Sequence, residues 1–233
     1  MKIQTQIKKV VIVFSIISTS FVFAQTKKER TVEAKAVSIS MYNSTKNKEA
    51  LEFYSEGSEK FKEQNYKAAI KLFEKAVEKD PKFVEAYDDM GVSYRKLGDL
   101  KNAIKNYDKS IELYPDGIMA HQNLGLIYSI QKEYKKAIEE YEKSQKINPE
   151  DPEGYYGTIN IYLQLGEYKN AIKSATKTME IYEATNNPYL SDAQYILGLS
   201  YYYDKDKKNA KTYLEMAKKS GVQVDAKILK EVQ

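Results

Sequence analysis

An all-α chain of repeated helical hairpins is the fold class this sequence predicts, and two observations carry it. The first is a step of 34 residues. Gly57, Gly91 and Gly125 keep it, as do Ala69, Ala103, Ala137 and Ala171, and Pro81, Pro115 and Pro149. The second is composition: 21 tyrosines, no tryptophan and only 10 glycines and 5 prolines in 233 residues leave too few turn residues for a strand-rich fold. With 42% hydrophobic and 30% charged residues, the chain can bury a sizeable core and keep a hydrated surface.

Each segment follows in order. Residues 1–24 have the layout of a secretory signal, with Lys2, Lys8 and Lys9 ahead of an apolar run and Val22, Phe23 and Ala24 before Gln25, so cleavage after Ala24 is expected. Ser15, Ser18, Thr19 and Ser20 interrupt that run well short of the roughly 20 apolar residues a membrane span needs. No later stretch approaches that length, so the mature chain is expected to carry no transmembrane segment and to reside in the periplasm, the cell envelope or outside the cell. Residues 25–49 are polar, charged and aperiodic, the makeup of a flexible linker.

Hairpins are expected at 50–83, 84–117, 118–151, 152–190 and 191–221, the fourth lengthened by five residues around Asn186, Asn187 and Pro188. Gly98 and Gly166 suit the turn inside a hairpin, because glycine accepts the left-handed conformation that ends a helix. Pro115 and Pro149 stop a second helix from continuing. The fourth unit departs from the pattern: Ile159 takes the glycine slot, Thr178 an alanine slot and Glu183 the proline slot. Residues 222–233 carry Val224, Ile228, Leu229 and Val232 at helical spacing and are expected to form a capping helix.

Charge and reactive groups narrow the function. The net charge of +4 resides in the N-terminal stretches, +3 over 1–24 and +3 over 25–49, which leaves residues 50–233 at −2. A folded body of that sign lacks the basic stripe that nucleic acid requires. With no cysteine there is neither disulfide nor thiolate metal site. His121 is the single histidine and is expected to pack within the array, while Asp204, Lys205 and Asp206 lack the glycine and closing glutamate of a calcium loop and are expected in a solvated turn. No nucleophile elbow, phosphate loop or paired-histidine motif is present, so neither cofactor nor enzymatic activity is expected.

The repeat resembles the tetratricopeptide family over about 180 residues, from residue 50 onward. The third copy carries Leu124, Gly125, Tyr128, Tyr134, Ala137, Tyr141 and Pro149; the second carries Met90, Gly91, Tyr94, Gly98, Ala103, Tyr107 and Pro115. The resemblance implies a right-handed superhelical array of about five hairpins whose first helices line a concave groove. Carried over by slot, that groove would present Tyr54 and Ser58, then Asp88, Val92 and Lys96, then Gln122, Leu126 and Ile130, then Tyr156, Asn160 and Gln164, and last Tyr195, Leu199 and Tyr203. The subset of the family that clamps a chaperone's carboxylate tail is not matched, since Tyr54, Ser58, Asp89 and Met119 stand in its slots and only Asn123 supplies an amide. The resemblance implies a non-enzymatic scaffold that binds a protein or peptide; the alternative is a sensory module coupled non-covalently to a membrane receptor.

Overall fold

The computed structural model describes residues 44–233; the expected signal and most of the expected linker lie outside the described residues. Among the described residues there are eleven helices and no strand: α1 (Lys48–Lys62), α2 (Tyr66–Lys79), α3 (Val84–Lys96), α4 (Leu100–Leu113), α5 (Ile118–Ile130), α6 (Tyr134–Ile147), α7 (Pro152–Leu165), α8 (Tyr168–Ala184), α9 (Leu190–Tyr203), α10 (Lys207–Lys219) and α11 (Ala226–Glu231). They form two compact units, one ending at Asn106 and the other beginning at Tyr107, so the boundary falls within α4. In the first, α2 packs on both α1 and α3. In the second, α5 packs on α6 and α7, and each later helix packs on its successor through α11.

The helices form where the apolar period and the caps agree. In α2 the buried side chains are Ala69, Ile70, Phe73 and Ala76, one stripe with a helical period. Removing a Phe or Ile side chain from water contributes roughly 1.5–3 kcal/mol, which outweighs the few tenths available from propensity alone. Second helices start at a polar cap: the side chains of Asn65, Asp99 and Asp206 accept from the amides of Ala68, Asn102 and Asn209 at 3.2, 3.1 and 3.1 Å. The α6 and α8 N-caps, Glu133 and Glu167, make no such bond, and the turn before each of the five second helices carries one residue with positive φ, namely Gln64, Gly98, Lys132, Gly166 and Lys205.

Alanines in the repeat slot are sealed: Ala69, Ala103, Ala137, Ala171 and Ala210 each have 0% exposure. The glycine slot works as a pair with a large side chain on the second helix. A Cβ at Gly57 would lie 2.6 Å from the Phe73 ring, so a side chain there would force the ring aside, and one at Gly125 would lie 3.0 Å from Tyr141, a tight fit that the ring must yield to. In the fourth unit the sizes are exchanged. Ile159 occupies the glycine slot, Ala175 occupies the slot of Phe73 and Tyr141, and both belong to one buried cluster with Leu163, Ala171, Ile196 and Leu197. The departure at Ile159 therefore preserves packing, because total volume across the helix pair is conserved.

Both ends differ from the expected linker and cap. Lys48 and Glu49 already belong to α1, and residues 44–47 are tied down. The Ser44 amide donates to Glu85 Oε1 at 3.0 Å, the Val84 amide donates to Ser44 Oγ at 3.0 Å, and the Thr45 hydroxyl donates to Asp80. Sequence composition misses this strap because its bonds run to residues some 40 positions away and involve no apolar stripe. At the other end the capping helix is confined to α11, with Ile228 and Val232 buried.

Candidate partner-binding surface

In the first unit, most of the slots expected to line a groove are consumed by internal contacts. Tyr54 lies between Phe73 and Phe83, with ring centroids at 5.5 and 4.8 Å, and its hydroxyl donates to Asp89 Oδ2 at 2.7 Å. Burial and the neighbouring Asp89 push the Tyr54 hydroxyl far above its ordinary pKa, so it remains a donor at every physiological pH. Ser58 is buried and returns its hydroxyl to the Tyr54 carbonyl at 2.9 Å, as a serine inside a helix does when no other partner is near. Asp88 is fully buried. Ser58 and Asp88 are thus corrections: neither is open to a partner. Val92 and Lys96 keep partial exposure.

The second unit leaves more of its slots open. On α5, Gln122, Leu126 and Ile130 follow one another at steps of four and so share a side of the helix. Gln122 is half-buried, Leu126 is 37% exposed and Ile130 is 56% exposed. On α7, Tyr156 and Asn160 are half-buried and Gln164 is exposed, its side-chain oxygen accepting from the Tyr134 hydroxyl. Burial raises the pKa of Tyr156 well above the ordinary tyrosine value. On α9, Tyr195 and Tyr203 are half-buried; Tyr203 stacks on Tyr168 at 5.8 Å, and burial pushes its hydroxyl up to about 12.

Leu199 is a further correction, since it is fully buried. Residues 196–200 are buried without a break, and the C-terminal segment runs against α9, where the Tyr202 hydroxyl donates to Glu231 and the Asp225 charge helps raise the pKa of Tyr195. The C-terminal segment thus meets α9 at Tyr202 and lies near Tyr195, on a helix that the repeat pattern alone would leave open.

His121 is buried, as expected, with partners that the sequence did not reveal. Its Nδ1 lies 2.6 Å from Glu140 Oε2 and its Nε2 lies 3.1 Å from the Pro115 carbonyl. Burial pushes the Glu140 carboxyl up, but hydrogen bonds from His121 and from Lys143 at 2.7 Å outweigh that and hold it below the usual carboxylate range. The histidine is a packed, bonded element of the third hairpin. Reading repeat slots in pairs across the two helices, rather than one slot at a time, would have matched these two residues.

Asp204, Lys205 and Asp206 form the turn before α10, where Asp206 caps the helix. Among the described residues no three potential metal ligands converge, and no helix is long and apolar enough to cross a membrane.

Tetratricopeptide-repeat models match residues 57–98, 83–150 and 192–220, so tandem repeats of this class build the array. Among solved structures, a crystal structure of MamA aligns with a TM-score of 0.63 and 25% identity over 70% of this chain and 92% of that one. MamA 41-end from Desulfovibrio magneticus RS-1 aligns with a TM-score of 0.66 and 19% identity over 81% and 99% of the two chains. Pseudomonas aeruginosa pilF aligns with a TM-score of 0.64 and 18% identity over 77% and 79%. No curated protein matches the chain. The repeats and these neighbours support a protein-interaction scaffold, a fold that is typically non-catalytic.

Proposed function

We propose that the chain is an exported, non-enzymatic scaffold whose second unit holds a peptide segment or protein partner against the open side of α5 and α7. One observation carries the reading. Gln122, Leu126, Ile130, Tyr156, Asn160 and Gln164 are all uncharged and all retain exposure, in a chain where 30% of residues are charged. Apolar side chains exposed as far as Leu126 and Ile130 gain from being covered, and the flanking amides supply hydrogen bonds to a peptide backbone. The export part rests on residues 1–24, whose charged start, apolar run and small residue before Gln25 suit a cleaved signal.

The test is capture of partners by the full chain expressed in its native host, with the mature N-terminus read by mass spectrometry. The expected bait begins at Gln25, and Leu126→Glu with Ile130→Glu loses the captured protein while keeping its melting temperature. An interface anchor of this kind is worth ~2 kcal/mol or more. Lys135→Gln with Lys169→Gln serves as the control. Capture that survives the glutamates and fails in the control places binding elsewhere, and a bait that retains Met1 in the cytosol removes the export part.

A further inference from the structure

A second recess lies in the same unit; it shares α7 with the face just described but none of its residues. It is a cleft of about 460 Å³ walled by α6 and α8, with α7 beneath. Its origin is visible in the repeat. In the third hairpin the corresponding slots hold His121 and Glu140, bonded to each other, and Leu124, which is buried. In the fourth, Tyr155, Thr158 and Ser174 occupy the slots of His121, Leu124 and Glu140. Ser174 is too short to cross the gap, and Thr158 gives up the leucine's volume. The fourth unit thus carries smaller, uncharged side chains at the floor where its neighbour carries an ion-paired couple and a leucine.

The floor is internally satisfied. The Thr158 hydroxyl donates to the Tyr155 carbonyl at 2.8 Å, so its single hydrogen is used, and Ser174 Oγ at 2.9 Å must donate to Thr158 in turn. Charge for a ligand therefore comes from the walls. Lys173 and Lys177 stand one turn apart on α8; Lys177 reaches Glu150 at 3.1 Å, a surface pair whose acid is 75% exposed and which is readily exchanged. Glu142 stands with Tyr162, whose hydroxyl pKa is raised by burial and then by the charges of Glu142 and Glu167. The lysine of the opposite end, Lys177, lies near Tyr155. The cleft is thus bipolar, with two tyrosine rings along its length.

We infer that this cleft binds an extended peptide segment carrying an acidic side chain and a basic one three residues apart. The acid meets Lys173 and Lys177, the base meets Glu142, and the intervening residues lie on Tyr155 and Tyr162. The seven helical steps from Tyr155 to Tyr162 span ~10 Å, and three steps of extended chain span about the same distance. This inference does not rest on the α5 and α7 face, and either can fail alone.

The experiment titrates the full, isotopically labelled chain with two blocked tetrapeptides, one with glutamate first and lysine last and one in the reverse order, and follows amide resonances. The expected result is saturable shifts centred on Tyr155, Tyr162 and Ser174 with at least one order. Replacing both charged residues of that peptide by glutamine, or making Lys173→Ala with Lys177→Ala, should weaken binding by about fivefold or more, the equivalent of roughly 1 kcal/mol. Ser174→Glu, which restores the third hairpin's residue, should abolish the shifts with the remaining spectrum unchanged. No shift at these positions with either order, or equal binding by the glutamine peptide or by the lysine-free variant, overturns the inference.

Discussion

Asp89 is 8% exposed and receives the Tyr54 hydroxyl at 2.7 Å, with the Glu85 charge nearby. Burial pushes its carboxyl up to about 6; the Tyr54 bond works downward and Glu85 adds to the rise. For an acid whose folded pKa is raised, the fold favours the protonated form, so the stabilising contribution is complete below 3.8 and is lost as pH climbs to about 6. The ceiling on this change is about 3 kcal/mol. Asp89→Asn keeps an acceptor for Tyr54 and removes the titration. Its urea midpoint should exceed the parent's at pH 7, and the two should converge near pH 4; a constant offset across that range would contradict the assignment. At this scale the sequence was least legible. It placed Tyr54 in a slot facing outward, and nothing in the residue type announces that its hydroxyl ends on a buried aspartate 35 positions away.

The turns between paired helices are a cleaner case of sequence specifying an element. Gln64, Gly98, Lys132, Gly166 and Lys205 take φ values of 61°, 80°, 62°, 74° and 67°. Four of them keep the 34-residue step, and the fifth is displaced by the same five residues that lengthen the fourth unit. Only two are glycine, and an L side chain in this region costs roughly 1–2 kcal/mol. Lys132→Gly is therefore expected to raise stability by up to about 1 kcal/mol, net of glycine's greater freedom when unfolded. Gly98→Lys should lower it. A Cβ at Gly98 meets nothing within 4 Å, so the second change isolates backbone strain from crowding. Thermal unfolding of both variants checks the pair; equal midpoints would show that the turn tolerates either residue. Gly98 and Gly166 were legible as turns because of their residue type, whereas Gln64, Lys132 and Lys205 show the same conformation only through their spacing.

For the molecule as a whole, the order of helices was legible almost completely, because 34-residue periodicity sets both the hairpins and their sealed alanines. The capping helix was legible too, from the spacing of Ile228 and Val232, whereas the N-terminal strap was not, since it carries no apolar period. The Ser44 and Thr45 strap reaches α3 and the end of α2, and α11 buries Ile228 and Val232 while the C-terminal segment runs against α9. A repeat array leaves an apolar face open at each end unless something covers it. Deletion of residues 222–233 should accordingly lower the melting temperature and raise binding of a hydrophobic dye. A shortened chain that melts with the parent and binds no more dye would mean that α11 covers nothing of consequence. Some of the surface expected to meet a partner was misread because Ser58, Asp88 and Leu199 are buried, and the C-terminal segment engages Tyr202 on α9.

The exchange of sizes between Gly125 with Tyr141 and Ile159 with Ala175 bears on how such a chain can be shuffled. A crossover at the turn near Lys132 or Gly166 would join the first helix of one hairpin to the second helix of another, bringing Ile159 against an aromatic ring or glycine against Ala175. One hybrid is jammed and the other hollow. Breakpoints in the loops between hairpins keep both of these couples together, but one after Pro149 parts Tyr141 from Gly157, where a Cβ would lie 2.3 Å from the ring. Tyr141 is thus fitted both to its own hairpin and to the next, and the third and fourth hairpins are inherited as one block, divisible neither at their turns nor at the loop between them.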